Sequence, residues 1–187
     1  MHVEVFTAVS AFQHLRTEWQ QLLTRLPWHS VFHTPQWQEN WWRHFGTSHQ
    51  LYLLAVRADD GTLQGLAPLM TPAGAETSAR LELLGDLEVC DYLDILLLPP
   101  YQQEVAQALV THLVTQAGDE LELCVPNLAQ HSPVQALFQK SLIEHGLTVE
   151  IEQIETCPTI ALPADWEAYL ALLRGKDRHE LRRKIRR

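Results

Sequence analysis

The chain has 187 residues, of which 46% are hydrophobic and 20% charged, and its formal net charge is −9. That length holds one domain with a sizeable core plus a piece of another, and the composition is that of an ordinary globular protein. The acidity excludes nucleic acid as partner of the main body, because phosphate binding needs a basic face.

The opening residues, Met1-His2-Val3-Glu4-Val5, read as a strand rather than a signal peptide. The densest apolar run, Tyr92 to Leu98, is interrupted by Asp94 and falls far short of the ~20 residues of a membrane span. A cytoplasmic location is expected. Cys90, Cys124 and Cys157 are widely spaced and form no CxxC, so neither a disulfide framework nor a zinc knuckle is indicated. Cys124, inside Leu121-Glu122-Leu123-Cys124-Val125, reads as a small buried hydrophobe.

In chain order, a short strand is expected over Val3–Thr7. An amphipathic helix follows over Ala11–Leu26, with Phe12, Leu15, Trp19, Leu22, Leu23 and Leu26 at helical spacing. Ser10 is its expected N-cap, and Pro27 ends it. Trp28 to Pro35 is a loop. Its His29 and His33 have the spacing of a helical metal pair, but the flanking prolines forbid a regular helix and no third ligand lies nearby, so no metal is assigned.

Thr34 is the N-cap and Pro35 the first residue of the next helix, which carries Trp37, Trp41, Trp42 and Phe45. Adjacent Trp41 and Trp42 cannot face the same way, so one side of this helix is a candidate cleft wall for a sugar or another flat ligand. The period then changes. Strands are expected over Leu51–Arg57 and Leu63–Met70 around an Asp59–Thr62 turn, with Gly65 marking a bulge or close approach and Pro68 placing the second strand at an edge or bulge. A small-residue loop follows over Thr71–Ser78, then a strand over Arg80–Leu84.

Asp86, Glu88, Asp91 and Asp94 next place four acids beside the apolar run Leu93–Leu98. An offset of three cannot put Asp91 and Asp94 on one face of an extended strand, so one of them is the candidate that reaches a cleft and accepts a substrate proton. A helix over Tyr101–Gln116, a strand over Asp119–Pro126 and a helix over Ser132–His145 closed by Gly146 come next. Further strands are expected over Leu147–Ile154 and Cys157–Leu162. Strands alternating with helices after an antiparallel hairpin indicate an α/β (α+β) fold, a mixed sheet covered by helices.

The final stretch is different in kind. Trp166, Tyr169, Leu170 and Leu173 form one helical face behind an Asp165 N-cap, and Gly175 separates them from a second helical segment. Arg174 to Arg187 holds eight of the fourteen Lys and Arg residues against two acids. This asymmetry suggests an interaction segment, or one meant to pack on a further domain. The expected division is therefore 1–162 and 163–187, the latter leading into a domain missing from this sequence.

Trp166, Tyr169-Leu170, Lys176, Arg178-His179-Glu180-Leu181-Arg182-Arg183-Lys184 and Arg186-Arg187 resemble the helical element of CelD-type, FemAB-like acyltransferases of the GNAT superfamily. Phe32-His33-Thr34-Pro35-Gln36-Trp37, Gly65-Leu66-Ala67-Pro68-Leu69 and Asp91-Tyr92-Leu93-Asp94 agree with that resemblance. CelD itself is associated with bacterial cellulose biosynthesis. The resemblance implies the N-terminal, substrate-side half of an enzyme that moves an acetyl or acyl group from acyl-CoA to an amine or hydroxyl, with an envelope or polysaccharide precursor as acceptor. It implies Asp91 or Asp94 at the nucleophile, Trp37, Trp41 and Tyr92 shaping the cleft, and Arg178, Arg182 and Arg183 holding an anionic substrate or the phosphates of CoA. Acetyl-CoA itself is expected to bind the missing C-terminal half, because no Q/R-x-x-G-x-G/A pyrophosphate turn occurs here. Two other readings remain: a FemAB-like transferase using aminoacyl-tRNA, and a non-catalytic binding module with a basic arm.

Overall fold

In the computed structural model, which describes residues 1–73, 80–86 and 88–186, the chain divides into two units, Met1–Ile151 and Glu152–Arg187. The first is built on strands β1 (His2–Phe6), β2 (His49–Arg57), β3 (Leu63–Pro72), β4 (Arg80–Leu83), β5 (Leu96–Leu97) and β6 (Glu122–Cys124). Their order is β1-β2-β3-β4-β6, with β5 also pairing β3. All pairs are antiparallel except β4 and β6, which run parallel with Leu81 opposite Leu123. Helices α1 (Ala11–Arg25), α2 (Pro35–Phe45), α3 (Gln102–Ala117) and α4 (Val134–Glu144) flank this mixed sheet. The α/β architecture expected from the sequence is therefore present.

Strands β2 and β3 explain why the middle of the chain is so apolar. Residues Leu51 to Arg57 and Leu63 to Thr71 are buried without alternation, as strands covered on both faces must be. Gly65 does two jobs there. A β-bulge lies between Val56 and Arg57, where the partner shifts from Gly65 to Leu63. A Cβ at Gly65 would also lie 2.2 Å from Val105 Cγ1 of α3, so only glycine lets that helix approach the strand.

Pro68 was expected to mark an edge or a bulge; β3 is central, and its ladder with β2 does carry a bulge, nearer Gly65. The reason is local: β5 pairs β3 at Gly65–Leu66, β4 pairs it at Leu69–Met70, and Pro68 sits between these ladders. Its carbonyl still accepts from Leu84 N at 2.8 Å. The missing N–H falls where the sheet changes partner.

Arg57, at the end of β2, ties three elements together. It donates to both oxygens of Glu18 on α1 (2.8 and 2.9 Å), to Glu4 on β1 (2.7 Å) and to the Gly61 carbonyl (3.0 Å). These bonds hold the Glu4 and Glu18 carboxyls below their usual range. Glu39 of α2 is buried and receives Arg16 of α1 and Arg43, the latter at 2.5 Å, which locks α1 to α2. Each acid of these clamps, buried Glu39 and half-buried Glu4 and Glu18, faces a guanidinium.

Several expected boundaries are corrected. Ser10 makes no side-chain cap, because its backbone is already helical (φ −60°, ψ −16°) and Ala11 N donates to Ala8 O. Thr34 does cap α2, accepting from Trp37 N at 3.3 Å. Gly146 follows α4 at φ 83°, the left-handed conformation expected of a terminating glycine. The apolar run Leu93–Leu98 contributes only the two ladder residues of β5, and the strand expected over Asp119–Pro126 shrinks to three residues behind a 3-10 turn, Gly118–Glu120. Neither Leu147–Ile154 nor Cys157–Leu162 forms a strand, since neither finds a ladder partner; alternation alone does not supply one. Cys124 is exposed rather than buried, because β6 lies at the sheet edge, while Cys90 is the buried thiol. The loop predicted over Thr71–Ser78 falls mostly outside the described residues, and its first two positions belong to β3.

The second unit contains α5 (Trp166–Leu172) and α6 (Gly175–Ile185). Asp165 caps α5 as expected, accepting from Ala168 N at 2.8 Å. Among the described residues no helix is long and apolar enough to cross a membrane.

Replacing Gly65 by Ala is expected to destabilise the chain by about 1–3 kcal/mol in urea denaturation, through overpacking against α3. Adding Val105→Ala should recover part of that loss; if the two effects simply add, the close approach is not what requires glycine.

Candidate functional site

The parallel pair β4–β6 sends two chain segments out of the same end of the sheet. Crevices beyond the carboxyl ends of parallel strands are where open α/β sheets place ligands. Here the β4–β5 and β6–α4 connections are stitched together: Leu93 N donates to Asn127 O (3.2 Å), Asn127 Nδ2 donates to Cys90 O (2.7 Å), and Ser132 Oγ donates to Asp94 Oδ1 (2.9 Å). Asn127 adopts φ 53°, which asparagine tolerates better than most residues.

The α1–α2 connection closes on the same place. It is pinned from below, with Trp19 Nε1 donating to His33 O (2.9 Å) and Gln38 Nε2 to Phe32 O (2.9 Å). From it Trp28 reaches both other segments. Its ring lies edge-on to Tyr92 (centroids 5.5 Å apart), to His131 (4.6 Å) and to His33 (5.3 Å). Three loops distant in sequence thus meet around one half-exposed indole.

Asp94 is the chemically distinctive member. Its Oδ1 accepts from Ser132 Oγ and from Ile95 N (2.8 Å), and no cation acts on it. Burial pushes its carboxyl up to about 7, with those two hydrogen bonds opposing the rise. A carboxyl that titrates at neutrality both accepts and releases a proton readily there. His33 is opposite in character. Burial, helped by the neighbouring His29, pushes the imidazole down to about 4, while the Tyr92 main chain favours the charged form. Ser30 N donates to its Nδ1 (3.1 Å), so the proton of the neutral ring sits on Nε2, which makes no hydrogen bond of regular geometry. His33 is a buried neutral wall.

The remaining residues singled out from the sequence are distributed as follows. Tyr92 and Asp94 are in the cluster. Asp91 is exposed on the same connection. Trp41 is buried and its Nε1 donates to Asp86 Oδ2 (2.8 Å), while Asp86 Oδ1 accepts from the Glu88 and Val89 amides (2.8 and 2.9 Å); the pair shapes the start of the β4–β5 connection. Trp37 packs edge-on to Phe32 at 5.0 Å. In the second unit, Arg178 donates to the Leu170, Ala171 and Leu173 carbonyls (2.8, 3.3 and 3.0 Å), closing the C-terminus of α5. Arg182 pairs with Glu167 (2.7 Å), and Arg183 lies 3.7 Å from Glu180.

Sequence reasoning missed Trp28, His131 and Ser132. Only Ser132 carried a local signal, a serine followed by proline at a helix start. A separate polar groove of about 330 Å³ lies between α1 and the β2–β3 turn, lined by Glu18, Gln21, Arg25, Asp60 and Thr62. None of the residues singled out from the sequence lines it. Among the described residues no group of three or more His, Cys, Asp or Glu is placed to hold a metal ion.

The raised Asp94 carboxyl has a consequence for stability. Its folded form keeps the proton up to about pH 7, whereas the ordinary value is 3.8, so the folded state holds more protons between those limits. The contribution of Asp94 to stability is therefore greatest at acid pH and is lost as pH rises through that window. Asp94→Asn, which keeps an acceptor for Ser132 and Ile95, is expected to unfold at higher urea than the parent at pH 8, by on the order of 2–4 kcal/mol, with the gap narrowing as pH falls and closing only below the ordinary carboxyl value of 3.8. A constant difference across pH would contradict a neutral-range titration.

No protein-family model matches the chain, and no curated protein matches it in sequence. Among solved structures it is similar to an aminoglycoside antibiotic 6'-N-acetyltransferase from Acinetobacter baumannii, at 15% identity and a TM-score of 0.42, over 85% of this chain and 99% of that one. A likeness of that depth assigns no residue and no activity.

Proposed function

We propose that the unit Met1–Ile151 is the acceptor-binding part of a GNAT-type acyltransferase, in which Asp94 takes the proton from an amine or hydroxyl as it attacks an acyl-CoA thioester. The observation that carries this reading is a largely buried carboxyl, without a cationic partner among the described residues and titrating near pH 7, beyond the carboxyl ends of β4 and β6. The Asp91-Tyr92-Leu93-Asp94 stretch that supports the sequence resemblance supplies that carboxyl. Trp28 and Tyr92 give the acceptor an apolar and aromatic surface, and His33 adds no charge to compete with it.

The step balances simply. The acceptor's nitrogen or oxygen bonds to the acyl carbon, its proton passes to Asp94, and the carbon–sulfur bond breaks to release CoA as thiolate. Orientation and proton acceptance are the contributions this unit makes. We assign the acyl-CoA contacts to residues beyond this stretch of chain, in keeping with the CelD-type resemblance, and the reaction to the cytoplasm, where acyl-CoA is available. An envelope or polysaccharide precursor is the acceptor class this resemblance favours. Arg178 and Arg182 are engaged within their own unit, which leaves Arg183 the freer of the three proposed anion contacts.

The test is CoA thiol release from acetyl-CoA by the chain in its full native reading frame, with a panel of amines, amino sugars and sugar alcohols. Transfer is expected to rise with pH through an acid limb near 7, and Asp94→Asn should lower the rate about 10²–10⁴-fold. Wild-type turnover in the Asn variant, or no transfer to any acceptor, would count against the proposal.

A further inference from the structure

We infer that Ser132 is the positioning residue of this site: its hydroxyl fixes the Asp94 carboxyl so that Oδ2 alone receives the acceptor's proton. The inference rests on the reading of Asp94 as the base. Oδ1 is occupied twice, by Ser132 Oγ at 2.9 Å and Ile95 N at 2.8 Å, which leaves Oδ2 without a hydrogen bond among the described residues. The serine is itself held. It is buried, and its Oγ accepts from Val134 N (3.2 Å) at the start of α4, which turns the hydroxyl proton toward Asp94. With one lone pair committed to the helix amide, the hydroxyl keeps its single proton for Asp94.

The arrangement also sets when Asp94 is ionised. Desolvation pushes the carboxyl up, and hydrogen bonds donated to the ionised form pull it back. The Ile95 bond comes from the neighbouring peptide and is present wherever the loop holds its shape. The Ser132 bond comes from another connection, 38 residues on, and forms only when the two loops are docked. Of the titratable groups in the cluster, His33 belongs to the α1–α2 connection, Tyr92 and Asp91 to the β4–β5 connection, and His131 to the β6–α4 connection. None is a cause of the Asp94 shift, so among the described residues the hydroxyl is the only side chain that stabilises the carboxylate.

The decisive experiment is a carbon-detected NMR titration of the Asp94 carboxyl in the full chain, comparing wild type with Ser132→Ala, Ser132→Thr and Ser132→Cys. Losing a donor to the carboxylate favours the protonated form. The midpoint should therefore rise by about one unit in S132A, a tenfold change in the ionisation constant, and by less in S132C, a weaker donor. S132T should stay near wild type. A midpoint in S132A and S132C indistinguishable from wild type overturns the inference. Thermal midpoints recorded alongside separate this effect from loss of the Ser132–Val134 bond at the start of α4, which by itself leaves the carboxyl's titration in place.

The transfer assay separates the two claims. If the midpoint moves in S132A while D94N transfers as fast as wild type, Ser132 positions a carboxyl that is not the base. If D94N abolishes transfer while S132A leaves the midpoint in place, the base stands and the positioning role falls. Joint success is a shift of the acid limb in S132A equal to the NMR shift.

Discussion

The site depends on the parallel pairing of β4 with β6. Every other ladder among the described residues is antiparallel. Among the described residues this is the one ladder whose two neighbouring strands deliver their connections side by side, with Glu82 opposite Cys124 as the last registered residues. From there, Asp94 and Ser132 meet across 38 positions of sequence, and Asn127 bonds back to Cys90. A slip of this register by one residue would turn the side chains of β6 to the other face and undock the two loops. The rest of the fold serves to hold that end still: α3 seated on Gly65, α1 clamped to α2 through Glu39, and the Trp19 indole under the loop that carries Trp28.

Two inward-facing acids show how environment divides structure from chemistry. Glu39 faces Arg16 and Arg43, and such a pair, once buried, tolerates neither loss of a partner nor a change of charge. On the β1–β2 side of the sheet Arg57 pairs with Glu4 and Glu18, which are half-buried. Asp94 is given only neutral donors, a hydroxyl and an amide. Its ionisation is therefore left to pH and to whatever enters the site. Burying such a group weakens the fold at neutral pH, and that is a common mark of a residue kept for function rather than stability.

Much of the fold was legible because period and punctuation agree locally. The α1 stripe, the Thr34-Pro35 start of α2, the β2–β3 hairpin and Gly146 all carry their signals within a few residues. What failed was non-local. Alternation in Leu147–Ile154 promised a strand, but a strand needs a partner, and none is provided. Pro68 read as an edge or a bulge because a proline cannot announce that its missing donor will fall between two partner strands. The site followed the same rule. Asp91 and Asp94 both stood out beside an apolar run, and of the two Asp94 is the one turned inward, while Trp41 bonds Asp86. Trp28 stood alone in a proline-bounded loop, and His131 sat 38 residues from Leu93, so nothing near either predicted that they would meet.

The most direct test of the whole account is where an acceptor binds. Amide and indole NMR shifts of the full chain, recorded while a small amine or amino sugar is titrated in at pH 8, locate the contact without requiring turnover. The account predicts that the Trp28 indole and the amides of Leu93, Asp94, Asn127 and Ser132 move together along one binding curve. Shifts confined to the polar groove between α1 and the β2–β3 turn, around Arg25 and Thr62, would place the ligand elsewhere and contradict it.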